Sequence, residues 1–170
     1  MRSLVQLSSL LMLAVLLTGC GTYRLGSMLP ADIRTVYVPT FINNTTEPLI
    51  ESEATQAAIQ ELQKDGSLRV VGTPEEADTL LTVTLINYEL TPLKYETDLN
   101  TTADQYRLTL TAQVVLTRRT TNKVVAESPG VQGEADFPIN GDFTTSKATG
   151  LPTAAQDLAH NIIGAIVETW

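Results

Sequence analysis

The sequence predicts an α+β fold: two amphipathic helices packed on one face of a mixed, mostly antiparallel sheet of four to five strands, in the order β-α-β-β-β-β-α. Three observations carry that reading. Residues 106–116 alternate apolar and polar side chains at period two, as a strand with one buried face does. Two stretches, 47–66 and 153–170, repeat their apolar residues at helical spacing. Because each strand has a single apolar face, both helices must share one side of the sheet.

The elements follow in order. Residues 21–31 (GTYRLGSMLPA) have no period and contain glycines and a proline; they read as a tether reaching at most about 36 Å. "IRTVYVPTFIN" is rich in β-branched and aromatic residues and reads as a strand, with Pro39 placing it near an edge or a bulge. In "NNTTEPLIESEATQAAIQELQKDG" Thr45 or Thr46 can cap a helix, Pro48 suits its first turn and Gly66 ends it. Ile50, Ala54, Ala57, Ala58 and Leu62 form its buried stripe, and the alanines permit close approach to a sheet.

"LRVV" is a short strand ended by Gly72-Thr73-Pro74. "ADTLLTVTLINYEL" is a longer one whose apolar register switches faces near Leu85 and Ile86, as a bulge causes. Tyr106, Leu108, Leu110, Ala112, Val114 and Leu116 define the clearest strand. "TRRTTNK" turns the chain, and "VVAESPGVQGEADF" returns as its antiparallel partner, kinked at Pro129-Gly130. The last helix opens at Thr153-Ala-Ala-Gln156, which has the capping-box pattern, after Gly150 and Pro152. Its apolar side carries Ala155, Leu158, Ala159, Ile162, Ile163, Ile166 and Trp170. The sheet face turned away from the helices is Thr-rich, so it is either wet or an interface. No internal repeat is present.

The N-terminus reads as an address. Arg2, an apolar stretch from Leu4 to Leu17 and small residues after it form a signal peptide over residues 1–19. The stretch is too short to span a bilayer, which takes about 20 apolar residues. Leu17-Thr18-Gly19-Cys20 resembles the bacterial lipobox, in which the cysteine becomes the first mature residue and carries acyl chains. Cys20 is the only cysteine, so it is the expected lipid attachment point, residues 20–31 are the lipidated cysteine and tether, and residues 32–170 form a single domain. Two or more acyl chains hold a protein on a membrane without a transmembrane helix. Gly21 is not the aspartate associated with inner-membrane retention in enteric bacteria. By that analogy the chain is lipid-anchored to the outer membrane on its periplasmic side.

Loss of residues 1–19 removes Arg2 and leaves 10 Lys+Arg against 19 Asp+Glu. A surface this acidic excludes nucleic acid, whose binding depends on neutralising phosphates. Catalytic patterns are missing too. His160 is the only histidine and lies on the polar side of the last helix, without the neighbouring ligands a metal needs. No Gly-x-Ser-x-Gly elbow or Gly-rich phosphate loop occurs. Glu75, Glu76 and Asp78 follow Pro74 and read as a solvated, capped turn. The expectation is a protein that is not an enzyme and takes no cofactor and no metal. One feature opposes the acidic background: Arg118, Arg119 and Lys123 gather at the predicted hairpin tip. A charged tip keeps a hairpin soluble, and guanidinium forks also match phosphate oxygens bidentately.

"YRLG" after the cysteine, "LPADIRTVYVPTFINNTTEPLIESEATQAAIQEL", "LRVVGTPEEADTLLTVTL", "YRLTLTAQVVL" and the terminal helix ending in tryptophan resemble the LPS-assembly lipoprotein LptE family. The likeness covers nearly the whole mature chain and is most specific at "VPTFINNTTEP", "EEAD" and the lipobox. It implies two helices on one side of a mixed sheet, and a partner, the outer-membrane β-barrel LptD. Such a protein plugs and helps assemble that barrel, and contacts lipopolysaccharide through basic residues; here the candidates are Arg118, Arg119 and Lys123. "VYVPTFINNTT" and "EEADTLLTVTL" also look like the curli-secretion protein CsgG and the synthase activator LpoB. A pore former would need further long amphipathic strands, and an activator a longer linker than residues 21–31.

Overall fold

A computed structural model describes residues 29–95 and 103–167. Six strands and two helices follow in the order β1 (Thr35–Tyr37), β2 (Ile42–Asn43), α1 (Ile50–Asp65), β3 (Arg69–Val70), β4 (Thr79–Tyr95), β5 (Ala103–Arg118), β6 (Val124–Pro138) and α2 (Phe143–Val167), with one 3-10 turn at Pro74–Glu76. The sheet order is β3-β1-β4-β5-β6, and β2 also pairs with β4. β1 is parallel to both β3 and β4, and β2 is parallel to β4. The three long strands β4, β5 and β6 form an antiparallel meander. This is the expected α+β architecture.

The period-two pattern places Leu108, Leu110, Ala112, Val114 and Leu116 of β5 on the core face. Leu81, Val83 and Leu85 of β4 face the same way, opposite Leu116, Val114 and Ala112. Past Leu85 the pairing slips by one residue, so Ile86 is the bulge residue and Tyr88 and Leu90 return to the core side. A second slip in the β5–β6 ladder falls at Pro129-Gly130, where proline cannot donate to the ladder. The opposite face presents Thr82, Thr84, Thr109, Thr111 and Thr117, away from both helices.

The first predicted strand is two short ones. The ladder stops at Val38–Phe41, around a proline with no N–H to give. Phe41 N–H turns instead to Thr55 Oγ1 of α1, at 2.9 Å. α1 buries Ile50, Ala54, Ala57, Ala58 and Leu62, the stripe expected from the sequence. Its start differs from expectation: neither Thr45 nor Thr46 caps it, and the residue before it is Leu49, in a left-handed conformation at φ 68. Asn43 organises this approach, donating to Glu47 O and Glu51 Oε2 at 2.9 Å each. Thr45 Oγ1 holds the turn through Glu47 N–H.

α2 corrects the expectation more substantially. It begins at Phe143, ten residues before Thr153, and runs through Pro152. Asp142 caps it, its Oδ1 accepting from Thr145 N–H at 2.9 Å. Three contacts explain why helix continues across a proline. The Phe143 ring meets Tyr106 edge-on at 5.2 Å. Lys147 bonds Glu47 at 2.7 Å and lies over the Tyr88 ring. Gly150 leaves room for the Phe137 ring, which a Cβ there would meet at 2.7 Å. The extra turns thus cover the far end of the β4–β5 pair, which Thr153–Val167 cannot reach. Burial pushes the Tyr88 hydroxyl up to about 12, with Glu47 adding to the effect. Trp170 lies outside the described residues, and Leu29, assigned to the tether from sequence, packs against the core.

α2 lies along β6 and β5, with α1 beside it. The approach is closest at Gly133 of β6, where an added Cβ would sit 2.2 Å from Leu158 N and 2.4 Å from its Cα. Neither backbone group has a soft end to yield. Gly133→Ala is therefore expected to cost at least about 2 kcal/mol of stability, at the upper part of the overpacking range. Gly130→Ala, with nothing within 4 Å of the new methyl, is expected to be near neutral. Urea unfolding of a soluble form beginning at Gly21 measures both; similar losses at the two glycines would refute the close approach.

Candidate functional site

The β5–β6 turn is the place where the sequence concentrates positive charge, and three other segments meet it. β5 ends at Arg118 and β6 begins at Val124. Arg118 N–H closes the turn on Lys123 O at 2.8 Å, and Asn122 takes a left-handed φ of 52, which asparagine tolerates better than most residues. The parallel pairing of β1 with β3 and β4 brings Arg34, Arg69 and the 74–78 turn to the same end of the sheet.

The three predicted cations have different roles there. Arg118 Nη1 donates to Asp32 Oδ2 at 2.5 Å, with the two side chains 27% and 63% exposed. This bond holds the Asp32 carboxyl below its usual range and raises Arg118 further. Arg118 is thus a strut between the hairpin and the segment that leads into β1. Arg119 donates through Nε to Ala77 O at 2.7 Å and through its backbone N–H to Asp78 O at 2.9 Å. No carboxylate neutralises it, and its two terminal nitrogens have no partner among the described residues. Lys123 is exposed, and its ammonium is likewise without a partner among the described residues.

Asp78 is the residue that stitches this end together. Its Oδ2 accepts from the backbone N–H groups of Arg34 and Thr35, each at 3.0 Å. Its own N–H donates to Thr35 Oγ1 at 2.8 Å, and Thr79 Oγ1 donates to Thr35 O at 2.9 Å. The Arg34 N–H bond, followed by those from Thr35, lowers the Asp78 carboxyl below its ordinary value despite some desolvation. The acidic 75–78 stretch is therefore a structural turn whose aspartate clamps β1 to β4.

His160 lies on the outer side of α2, exposed, with Nδ1 3.1 Å from Glu61 of α1, and Glu61 also pairs with Lys64 at 3.2 Å. Among the described residues no group of three or more His, Cys, Asp or Glu side chains is placed to hold a metal ion. The sequence missed Arg34, Arg69 and Asp32 as members of the basic end. Nothing local marks them, because β1–β3 pairing spans more than thirty residues.

A model of the family LptE, lipopolysaccharide-assembly, matches residues 33–167, which is the described fold almost entire. The chain belongs to the LptE family. No curated protein matches the sequence. Among solved structures, protein XCC0632 from Xanthomonas campestris superimposes with a TM-score of 0.56 at 12% identity, covering 87% of this chain and 93% of that one. The hypothetical protein CT253 from Chlamydia trachomatis gives a TM-score of 0.51 at 12% identity, covering 79% and 98%. At such identities the likeness is one of fold.

The Asp78 clamp has a pH signature. A carboxyl lowered in the folded state contributes stability that is fully present above its unfolded value near 4 and is lost as pH falls through the folded value. Asp78→Ala orphans two backbone N–H groups and is expected to cost about 1–2 kcal/mol at pH 7. The gap to the unsubstituted protein should narrow below about pH 4. Urea midpoints at pH 7 and pH 3 test this, and a gap that widens on acidification would exclude the clamp.

Proposed function

We propose that this LptE-family protein is an outer-membrane lipoprotein, held on the periplasmic side by acyl chains on Cys20, that scaffolds and plugs an LptD-like β-barrel and helps insert lipopolysaccharide into the outer leaflet. The observation that carries the reading is the family match over residues 33–167. The work is binding and scaffolding, with no reaction catalysed and no cofactor required. A folded domain suits a plug because its helices and sheet bury their apolar faces on one another, leaving a surface that a partner meets without unfolding it.

The basic end supplies the contact to lipopolysaccharide phosphate. Among the described residues Arg119 has two guanidinium nitrogens and Lys123 an ammonium without a partner, and a guanidinium fork binds phosphate oxygens in pairs. Arg118 contributes differently, since its guanidinium is already committed to Asp32. It fixes the turn on which the other two sit.

Purification of the tagged, lipidated protein from detergent-solubilised outer membranes should bring down a large β-barrel in stoichiometric amount. A cell-wall synthase, or a ring of this protein alone, would sink the plug reading. For the lipid contact, Arg119→Ala with Lys123→Ala is expected to weaken lipopolysaccharide binding about tenfold or more. Adding Arg118→Ala should weaken it little further. Unchanged affinity in the triple variant would remove these residues from lipid binding.

A further inference from the structure

The two sides of the sheet are finished differently. On one side β6 is the edge, and α2 occupies part of it: Asn161 donates to Gln132 O at 2.8 Å and Asp157 accepts from Glu134 N–H at 2.9 Å. On the other side β1 covers β4 at Thr79 and Leu80, and β2 covers it at Thr84 and Leu85. From Ile86 to Tyr95 no described strand pairs with β4 on the side opposite β5.

The backbone direction along this open stretch follows from the pairing. Leu85 O accepts from Asn44 N–H at 2.9 Å, so Leu85 turns its backbone groups away from β5. Such groups alternate sides along a strand, and the one-residue slip at Ile86 passes the outward side to Tyr88, Leu90 and Pro92. Pro92 fits there, because a strand proline sits where its missing N–H faces away from the ladder. The N–H groups of Tyr88 and Leu90, and the carbonyls of all three residues, have no partner among the described residues. Of the six large apolar side chains exposed among the described residues, Ile42, Ile86 and Leu93 lie along this edge. Glu89 stands between Ile86 and Leu93, exposed and without an ionic partner among the described residues. Arg107 on β5 is committed to Asp136 and Glu134, and Lys94 follows five positions along β4, roughly 16 Å away.

We propose that the open stretch of β4, residues 87–92, is a strand-addition site for an extended segment of the barrel partner, with lysine or arginine opposite Glu89 and apolar residues reaching Ile86 and Leu93. The inference rests on the plug reading and adds to it the strand on which the partner docks. An added strand gains main-chain hydrogen bonds from Tyr88 and Leu90, and its side chains supply the specificity. A closed barrel has every wall strand paired, so the segment is a loop or terminus of the barrel chain. A second copy of this protein fits poorly. Antiparallel pairing centred on Glu89 sets the two Glu89 carboxylates opposite one another, and like charges so placed destabilise a ladder. Pairing centred on Leu90 sets Pro92, which has no N–H, against Tyr88.

Thr91 is exposed on this edge, opposite Arg107. A benzophenone amino acid placed at Thr91 of the full-length lipidated protein and irradiated in intact cells is expected to join a peptide of the barrel chain that lies outside its wall strands and carries lysine or arginine. The same group at Gln132, on the covered edge, is expected to give severalfold less of that adduct. Glu89→Lys should lower the Thr91 adduct about threefold, and Glu89→Gln less. Neither Thr91 nor Glu89 bonds through its side chain among the described residues, so these variants keep the fold. Hydrogen exchange reads the pairing itself. The Tyr88 and Leu90 amides should exchange fast in the lipidated protein overproduced alone, in detergent, and about tenfold or more slowly in its complex with the barrel. Slow exchange in the protein alone, exchange unchanged in the complex, or a Thr91 adduct only within this chain or with a second copy overturns the proposal. So does the absence of any adduct at Thr91. An adduct with an extended basic segment of a protein that is not a barrel removes the plug reading and keeps β4 as the docking strand, which separates the two failures.

Discussion

The structure depends on one constraint: a three-stranded meander with a long apolar face on one side only must be covered along its whole length. Leu81, Val83, Leu85 and the five even-numbered core residues of β5 are fully or nearly fully removed from water. Each such side chain contributes about 1.5–3 kcal/mol by its burial. A 15-residue helix spans about 22 Å, less than a 16-residue strand of roughly 50 Å. Hence α2 extends to 25 residues, accepts a proline and lies close on β6. Small residues on β6 make that possible: Ala126, Gly133 and Ala135 face the helix, and the larger Leu158 and Ile162 project from the other side. The aromatic group of Tyr106, Phe137 and Phe143 and the Lys147–Glu47 pair close the far end.

The same helix also covers part of the sheet's exposed edge. Asn161 donates to Gln132 O at 2.8 Å and Asp157 accepts from Glu134 N–H at 2.9 Å. Both backbone groups belong to β6, the edge strand. An uncovered edge invites pairing with another chain, and side chains from α2 occupy part of it. Packing and edge protection therefore come from one element, placed by one apolar face.

Local pattern made much of this readable. Period two located β5 and its partners, and the five-residue stripe of α1 was visible residue by residue. The Leu85–Ile86 bulge and the Pro129-Gly130 kink showed as breaks in alternation or as proline in a strand. The misreadings share a physical origin. Gly150-Leu151-Pro152 followed by a capping-box pattern looks like a loop before a helix start, and the contacts of Phe143, Lys147 and Gly150 with distant strands make that stretch part of a continuous helix. The Thr45–Thr46 cap failed likewise, because Asn43 in a neighbouring strand captured the loop first. Propensity gives way wherever a tertiary contact supplies the missing hydrogen bond or fills the space.

The basic end was half legible for the same reason. Arg118, Arg119 and Lys123 are neighbours in sequence, so their clustering could be read directly. Which of them is free could not, since Asp32 lies 86 positions from Arg118 and Ala77 lies 42 from Arg119. Arg34 and Arg69 join through parallel pairing, which leaves no local trace. Net charge was the poorest guide. An acidic total suggests a surface hostile to phosphate, yet the field a ligand meets at close range is set by charges within about a Debye length. Pairing within the fold occupies Arg107, Lys147 and Lys64, and at the β5–β6 turn leaves Arg119 and Lys123 without a carboxylate partner among the described residues. An acidic protein can therefore still set two cations side by side at one turn, on a backbone that Asp32 and Asp78 hold in place.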